Sequence, residues 1–468
     1  MRRPILLDSA ADMLVYGMGE TAITQIAKRL AAGENISEIT DVRGTGFIID
    51  DEANCACASV HCASYEEVTK DKKKYAAAAM TQHDEHDPVR GKAIIQSCEG
   101  KKVLINPPSR TLTTVELDSI YALPYTREVH PMYEGSGDSG STGGTSNFGN
   151  TISTGNVLAI EEVRFSVIHN RGCFGACNFC ALAFHQGRTV ASRSHESVIN
   201  EVKEFTSHPD FKGYVHDVGG PTANFRKPSC AQQKENGICV KKSCLAPPCN
   251  NLDCDHSDYM QLLRKLAAIP GVKKVFIRSG IRFDYMMLDK SGEFFAELVK
   301  NHISGQLKVA PEHCIDNVLY YMGKPSNAIF ERFTEKFKRL NLRYKKDQYL
   351  VTYLISSHPG STVNDAIGLA VNLKKRGRKP EQVQDFYPTP GTLSTCMYYT
   401  EIDPRTMEHV YVPRKDEERK TQRALLQWND PKNREFIRRA LRSAGREDLI
   451  GYGKSCLIRP EKRNFDKK

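Results

Sequence analysis

The stretch Asn170-Arg-Gly-Cys173-Phe-Gly-Ala-Cys177-Asn-Phe-Cys180 says most about the fold and chemistry of this chain. It follows the segment 163–168, which predicts a strand, and its glycines, Gly172 and Gly175, favour a loop over a continued strand or a regular helix. Thiolates are soft ligands that suit iron–sulfur clusters. We therefore expect the three cysteines to hold a 4Fe-4S cluster in a loop at the end of a strand.

Three cysteines are one fewer than such a cluster usually takes, which leaves one iron without a protein ligand. That iron can bind the amino and carboxylate groups of S-adenosylmethionine (SAM). One electron from the reduced cluster then cleaves SAM to methionine and a 5′-deoxyadenosyl radical, and the radical abstracts hydrogen from a substrate. The cofactor carries this chemistry, while the protein orients it and excludes water. The loop thus predicts an enzyme.

Two other interpretations of the three cysteines are open at this stage. Their spacing also places them on one face of a helix, where they would be buried structural side chains. A structural zinc site is the second, and it would need a fourth ligand such as His169 or His185. The glycines count against the helix, and the position after a strand counts against zinc.

Around this loop the chain of 468 residues divides into four parts. We expect a partial N-terminal α/β domain at 1–133, with an insertion at about 53–95, and a flexible Gly/Ser-rich linker at 134–155. A core at 156–384 alternates strands and amphipathic helices, and a C-terminal basic helical extension fills 385–468. The predicted core strands are 163–168, 213–218, 274–278, 306–310, 349–355 and 383–386. Six such repeats predict a parallel sheet, either open and doubly wound or of the (β/α) barrel type.

Composition and charge limit the class of protein. The apolar fraction of 40% and the charged fraction of 26% are ordinary for a globular protein, and no apolar run is long enough to cross a bilayer. The N-terminus lacks the features of a signal peptide, so we expect a cytoplasmic protein. The segment 404–468 holds 18 Lys and Arg against 10 Asp and Glu. Such a tail could contact nucleic acid, although solvated helix faces explain it as well.

The cysteine spacing, with Phe179 before the last cysteine, resembles the hallmark of the radical SAM superfamily. Most of the chain outside 53–95 and 135–155 resembles one branch, the YgiQ-type radical SAM proteins, whose substrate is not established. The matching stretches are Asp12-Met-Leu-Val-Tyr-Gly-Met-Gly-Glu20, Asp41-Val-Arg-Gly44, Ile105-Asn-Pro-Pro-Ser109, Arg164-Phe-Ser-Val to Cys180, Asp217-Val-Gly-Gly-Pro-Thr-Ala-Asn224, Val309-Ala-Pro-Glu-His313, Ser357-His-Pro-Gly360, Phe386-Tyr-Pro-Thr-Pro390 and Met397-Tyr-Tyr-Thr400.

The resemblance implies a radical SAM partial (β/α)6 barrel, the cofactors 4Fe-4S and SAM, and an electron donor such as flavodoxin or ferredoxin. The stretch Met13 to Glu20 is similar to the end of a cobalamin-binding-like domain, which makes the N-terminal part a remnant of one. The chain has no Asp-x-His-x-x-Gly stretch that would supply a cobalamin ligand.

Function in parallel α/β folds gathers at the C-terminal ends of strands, and the matching stretches fall there. Gly219 and Gly220 are placed like the superfamily turn that meets the methionine amino group, although Pro221-Thr222 replaces its acidic position. We expect Arg278 and Ser279, after the third strand, to contact the cofactor as well. After the fourth strand, Glu312 could contact the ribose hydroxyls or the substrate.

Two histidines follow the fourth and fifth strands. His313 comes directly after Glu312, and we expect it to handle a proton. His358, in the stretch His-Pro-Gly, ends the fifth strand. Each of these residues alone is more often a polar loop end than part of a site, and only their shared placement favours a common site.

A second group of cysteines lies between the second strand and the next helix: Cys230, Cys239, Cys244, Cys249 and Cys254. Pro247 and Pro248 exclude a regular helix there. Zinc or an auxiliary iron–sulfur cluster would satisfy the spacing, and a loop without metal is the alternative. A third group in the N-terminal insertion, Cys55, Cys57 and Cys62, receives no role.

The competing function is a zinc- and cysteine-rich nucleic-acid-binding protein without catalysis. It would contain zinc and no iron, and its RNA binding would weaken steeply with salt. The three-cysteine loop at a strand end favours the enzyme, whose substrate is unknown; the basic tail suggests RNA or protein.

Overall fold

The structure, a computed structural model, describes residues 2–50, 57–131, 157–240, 243–380 and 383–461. The predicted linker 134–155 and Cys55 lie outside these residues. Among the helices described, none is long and apolar enough to cross a membrane.

The N-terminal part is built on one five-stranded sheet. Its helices are α1 (Ile5–Ser9), α2 (Glu20–Ala31), α3 (Tyr65–Lys70), α4 (Lys72–Glu85) and α5 (Thr114–Tyr121). Its strands are β1 (Leu14–Val15), β2 (Thr45–Ile49), β3 (Ser59–His61), β4 (Ala93–Cys98) and β5 (Lys101–Ile105), in the order β1-β2-β5-β4-β3.

Two features of this part bear on what the sequence predicts for it. Every strand pair except β3–β4 is antiparallel, whereas a doubly wound α/β domain has a parallel sheet, so the pairing departs from a cobalamin-binding-like remnant. Within its described residues, the segment 53–95 supplies β3, all of α3 and α4, and the start of β4, and it therefore contributes to the domain's framework.

The core strands are β6 (Ser166–Ile168), β7 (Asn170–Arg171), β8 (Ala191–Ser192), β9 (Tyr214–Val215), β10 (Asp217–Gly219), β11 (Lys274–Val275), β12 (Gln306–Glu312), β13 (Tyr349–Ser356) and β14 (Gln384–Asp385). The helices are α6 (Ala159–Val163), α7 (Leu182–His185), α8 (His195–Thr206), α9 (Ala231–Asn236), α10 (Ser257–Ala267), α11 (Phe283–Leu288), α12 (Glu293–Glu297), α13 (Asp316–Met322), α14 (Asn327–Tyr344) and α15 (Val363–Lys375).

The core strands form the predicted parallel arrangement. β6 pairs with β10, β9 with β11, and β12 with β13, which in turn pairs with β14, all in parallel. A parallel bridge between Ile281 and Val309 links the two halves. Strands β9 and β10 are one predicted strand interrupted at His216. The described residues form no closed barrel, in agreement with the partial barrel that we expected.

Amphipathic helices cover this sheet because their apolar side chains recur with helical periodicity. In α8, Val198, Val202 and Phe205 are buried, and the Ser194 hydroxyl accepts a hydrogen bond from the Ser197 backbone N–H at 3.0 Å, which confirms Ser194 as the N-cap. Residues of α10, α12 and α14 join the same apolar cluster. The rigid sheet that results holds the loops at its C-terminal edge.

The C-terminal part comprises α16 (Leu393–Thr400), β15 (Ile402–Asp403), β16 (Glu408–His409), α17 (Asp416–Leu426) and α18 (Arg434–Ser443). The predicted basic helices are α17 and α18. Leu425 and Ile437, both fully buried, pack with Ile367 of α15. The basic extension is thus joined to the core by an apolar interface.

Candidate cluster and cofactor site

The three-cysteine segment is a loop between β7 and the short α7, not a helix. Gly172 has a φ of +85°, and a Cβ there would meet the backbone carbonyl of Thr189. Ala176 also has a positive φ, of +42°. The interpretation of the cysteines as one face of a helix is therefore wrong, since the glycine and the left-handed residue turn the chain around them.

The three thiols lie within electrostatic reach of one another, and Cys177 and Cys180 line the same small cavity. Burial raises the pKa of Cys180 to about 11, with further contributions from Cys177 and, more weakly, Cys173. The protonated thiol is thus favoured with nothing bound, and a metal centre would have to displace that proton.

A buried arginine lies against the same thiols. Arg282 Nη1 donates a hydrogen bond of 3.0 Å to Cys177 Sγ, and its Nε lies 2.8 Å from Asp284 Oδ1. Burial lowers the pKa of Arg282, but Asp284 and Cys177 outweigh burial and raise it overall. A Cβ at Gly175 would be 2.5 Å from Arg282 Nη1, so this glycine admits the guanidinium to the loop. A permanent cation beside thiolates offsets the negative charge of a bound cluster.

Within the described ranges, no three His, Cys, Asp or Glu side chains are close enough to hold a single metal ion. The fourth ligands suggested for a zinc site lie elsewhere, which counts against that alternative: His169 Nε2 lies 2.9 Å from the Ala223 carbonyl, and His185 lines a different cavity. Cluster thiolates bind separate irons and stand further apart than the ligands of one ion. The three cysteines of the loop and the buried arginine fit a three-thiolate cluster.

A cavity of about 630 Å³ lies along β6 and at the ends of β10 and β11; Asn170 and Arg171, which lead into the cysteine loop, line it, and the three cysteines do not. The structure brings four predicted cofactor-binding residues into its lining: Gly219, Gly220, Arg278 and Ser279. Asp217 fixes the last two, because its Oδ1 accepts the backbone N–H groups of Arg278 at 2.8 Å and Ser279 at 3.1 Å. The Ser279 hydroxyl also donates to Asp217 Oδ2.

Asn170 is the polar side chain of this cavity that sequence reasoning missed. It is fully buried, and neither its Oδ1 nor its Nδ2 has a hydrogen-bond partner. An unpaired buried amide is costly, which indicates that a ligand completes it. A Cβ at Gly220 would lie 2.8 Å from Asn170 Cγ, and one at Gly219 would lie 2.5 Å from Asp217 Oδ2. The absence of a side chain at each glycine therefore leaves room for a neighbouring protein side chain, Asn170 at Gly220 and Asp217 at Gly219, in the wall of the cavity.

The structure separates the two residues predicted to be catalytic. Glu312 is buried, and burial raises its pKa, while Lys324, 4.0 Å away, and Arg282 act in the opposite direction. Glu312 therefore belongs to the charged surroundings of the cysteine loop. His313 instead lines a separate cavity of about 10 Å³ with Pro311 and Phe330.

Both predicted histidines are held as neutral groups. Burial lowers the pKa of His313 to about 3, and its Nδ1 accepts the Ile315 backbone N–H at 3.1 Å. Burial likewise lowers the pKa of His358 to about 3, and its Nε2 lies 2.7 Å from Ser394 Oγ. Neither lines the 630 Å³ cavity. The role of His313 in proton transfer stays a prediction.

The N-terminal part supplies a wall of the cluster site that the sequence did not predict. His83 and His86, at the end of α4, border a cavity of about 30 Å³ together with Cys177, Cys180 and Arg188. Arg188 Nη2 donates to the His83 carbonyl at 2.9 Å. Burial lowers the pKa of His83 to about 3 and of His86 to about 4. The signal available was the short spacing of His83 and His86, which the structure places at the end of α4.

Three family models match consecutive parts of the chain. A Radical SAM N-terminal model matches residues 1–139, the Radical SAM superfamily model matches 167–370, and a domain of unknown function, DUF3362, matches 381–468.

Two solved structures show weak likeness. One is the radical SAM methyltransferase TsrM from Kitasatospora setae with tryptophan and a SAM analogue (TM-score 0.41, 12% identity, 82% of this chain and 52% of that one). The other is the cobalamin-dependent SAM radical enzyme OxsB with aqua-cobalamin (TM-score 0.49, 10% identity, 95% of this chain and 56% of that one). This chain thus spans only about half of each, and likenesses this weak say nothing further about it.

The sequence relatives are much closer. A UPF0313 protein of Clostridium perfringens (strain 13 / Type A) is 50% identical over 468 residues, covering 100% of this chain and 68% of that protein. A UPF0313 protein of Clostridium botulinum (strain 657 / Type Ba4) is 50% identical over 459 residues, covering 98% of this chain and 69% of that protein. The chain therefore belongs to the UPF0313, or YgiQ-type, family of radical SAM enzymes.

Proposed function

We propose that this chain cleaves SAM reductively at a cluster held by Cys173, Cys177 and Cys180 and uses the resulting radical to modify a substrate. The observation that carries the proposal is the buried Arg282, which donates a hydrogen bond to Cys177 Sγ in a loop whose three cysteines lie within electrostatic reach of one another. When bound, the cluster and SAM would supply the 5′-deoxyadenosyl radical that abstracts hydrogen.

The protein's own residues would bind and orient these groups. Asn170 offers an unpaired amide to the amino or carboxylate end of SAM, and Gly220 leaves the room that the Asn170 side chain occupies. Asp217 holds Ser279 and Arg278 at the cavity edge. Arg282 places positive charge at Cys177 Sγ, where it would stabilise the cluster's anionic state.

Glu312 is the residue that we propose for contact with the ribose hydroxyls or the substrate. Burial raises the pKa of its carboxyl, while the nearby cations Lys324 and Arg282 act in the opposite direction. Its neighbour Lys324 also acts on Cys180, where its charge lowers the thiol pKa. Glu312 thus lies within the electrostatic reach of the loop.

The test is anaerobic reconstitution with iron and sulfide, followed by SAM and a strong reductant. Wild-type protein should yield 5′-deoxyadenosine, and Cys177→Ala should lose about four irons per chain and the product with them. Cys456→Ala is the matched control, because this cysteine lies in the C-terminal part. Stoichiometric zinc without cleavage would refute the proposal and support the nucleic-acid-binding alternative.

Substrate, electron donor and location belong to the same proposal. From the basic tail we infer an RNA or protein substrate. We also propose a flavodoxin- or ferredoxin-like electron donor and a cytoplasmic location. Some tail arginines are paired within the tail: Arg439 Nη1 lies 3.0 Å from Glu417 Oε1, and Arg446 Nε lies 2.8 Å from Asp448 Oδ1. Such pairs suit solvated helix faces, so nucleic-acid contact through the tail stays a prediction.

A further inference from the structure

We propose that a cavity of about 420 Å³ in the N-terminal part binds a small aromatic acid, that is, a flat ring system with one anionic group. The volume lies within the range of small-molecule sites. The cavity shares no lining residue with the 630 Å³ cavity at Gly219 and Gly220. The inference therefore adds a ligand site to the proposed function and does not depend on SAM cleavage.

One wall of this cavity is a face of the N-terminal sheet. Ile94 and Ile105 lie directly opposite each other in β4 and β5, as do Gln96 and Val103, and all four line the cavity. Residues directly opposite in such a pair have neighbouring side chains on the same face. The alternate residues of these strands belong instead to a buried apolar cluster. The sheet thus has one face in a packed core and the other at the cavity.

Helix α4 supplies a second wall. Ala78 and Ala79 line the cavity together with Tyr75 and Gln82 of the same helix. The two alanines carry only methyl groups, which leave open the space that longer side chains would fill. Ala77 is exposed and is not part of the lining. The cavity therefore depends on the small size of Ala78 and Ala79.

Aromatic rings line the side of the cavity that it shares with the cluster site. The His86 ring stacks on Phe184, with centroids 4.3 Å and planes 17° apart, and the Tyr16 ring lies 6.3 Å from His86. All three residues line the cavity, and His86 and Phe184 also border the small cavity at Cys177 and Cys180. Flat rings pack favourably against such surfaces. An aromatic ligand is thus expected, next to the cluster loop.

Basic side chains give the lining an excess of positive charge. Arg2, Arg3 and Lys92 line the cavity, together with the carboxylate of Glu85, which accepts the Lys92 backbone N–H at 2.7 Å. Arg3 is paired with two other carboxylates, each at 2.6 Å. Arg2 and Lys92 are exposed and form no ion pair with any residue that the structure describes. Two cations are therefore available to an anionic group on an otherwise apolar ligand.

Two probes that differ only in charge test the anionic group. They are 2-naphthoate and its neutral amide, 2-naphthamide, each titrated against the purified full chain and followed by ligand-observed NMR. Wild type should bind naphthoate with a dissociation constant below about 1 mM, and naphthamide about fivefold more weakly. Lys92→Gln should weaken naphthoate binding by about two- to fivefold, the range of an exposed ion pair, and should leave naphthamide binding unchanged.

A pair of substitutions on α4 tests the location. Ala79→Phe should abolish binding of both probes, because its ring fills the space between helix and sheet. Ala77→Phe is the matched control: it places the same ring on the exposed side of the helix and should bind both probes as the wild type does. Circular dichroism and unfolding midpoints establish that both variants fold. If Ala79→Phe did not fold, Lys92→Gln with the two probes would still decide.

Three outcomes would overturn the proposal: no saturable binding of naphthoate by the wild type, equal affinity for the two probes, or wild-type affinity in folded Ala79→Phe. The cluster proposal is tested separately, because none of these titrations requires iron or SAM. Absence of 5′-deoxyadenosine would leave the binding result standing, and absence of binding would leave SAM cleavage unaffected.

Discussion

Replacing Gly220 by alanine tests the cofactor cavity at its most crowded point. A Cβ at this position would lie less than 3.0 Å from Asn170 Oδ1, a distance that real Cβ atoms essentially never show. It would also lie 2.8 Å from Asn170 Cγ and 3.1 Å from the backbone carbonyl oxygen of Asn170. The Asn170 side chain has no hydrogen-bond partner that would hold it in place, but the position of its own backbone limits how far it can move. The new methyl group must therefore push Asn170 aside or into the cavity.

The size of the effect follows from overpacking. Inserting a methyl group into a packed site costs about 1–3 kcal/mol. If the cost falls on the ligand-bound state, SAM affinity should fall by about 5- to 150-fold, since 1.4 kcal/mol is tenfold. The measurement is anaerobic calorimetry with SAM on reconstituted protein.

Gly280→Ala is the matched control for this experiment. Gly280 follows Ser279 at the same edge of the cavity, yet a Cβ there would meet nothing within 4 Å. We expect this variant to bind SAM as the wild type does. If Gly220→Ala also bound SAM with wild-type affinity, SAM would not lie against this turn, and the assignment of the cavity would be refuted.

Three more predictions concern charge, packing and pH. Arg282→Gln should lower the midpoint potential of the cluster at Cys173, Cys177 and Cys180 by about 60–130 mV, because it removes a charged hydrogen bond to a cluster thiolate. An EPR-monitored redox titration measures this potential, and an unchanged value would contradict the prediction. Ile437→Ala should reduce the free energy of unfolding by about 2–5 kcal/mol in a denaturant titration, whereas Leu342→Ala, at a position 80% exposed, should change it little. His358, with a pKa of about 3 in the fold against an ordinary 6.5, is protonated first in the unfolded chain. Stability should therefore fall as pH drops from 6.5 towards 3, and His358→Gln should reduce that slope by roughly 1.4 kcal/mol per pH unit; equal slopes would refute this.

The sequence was most informative where apolar periodicity was long. The strands at 306–310 and 349–355 and the helices that cover them were predicted because buried side chains recur with the period of each element. Short elements are harder to predict from sequence. The apolar residues within 4–8 are typical of a buried strand, but Ile5–Ser9 form helix α1. Too few residues repeat there for periodicity to decide.

The parts of the site that escaped prediction depend on distant contacts. Arg282 is hydrogen-bonded to Cys177, which lies 105 positions away in the sequence, and Arg188 contacts His83 over the same sequence separation. Nothing in the local pattern around Arg282 distinguishes it from other arginines. Asn170 lies within the decisive stretch, but its lack of partners is visible only in three dimensions.

The wall that α4 adds to the cluster loop has a consequence for dissecting the molecule. The cavity at Cys180 is lined by side chains from three separate regions, including His83 from the N-terminal part and Leu393 from the C-terminal part. A fragment limited to the strands and helices of the central part would leave two sides of that cavity open to solvent. Dioxygen and chelators would then reach the sulfurs directly, so trimming the chain to its central part should give an air-labile protein that loses iron rather than a smaller working enzyme.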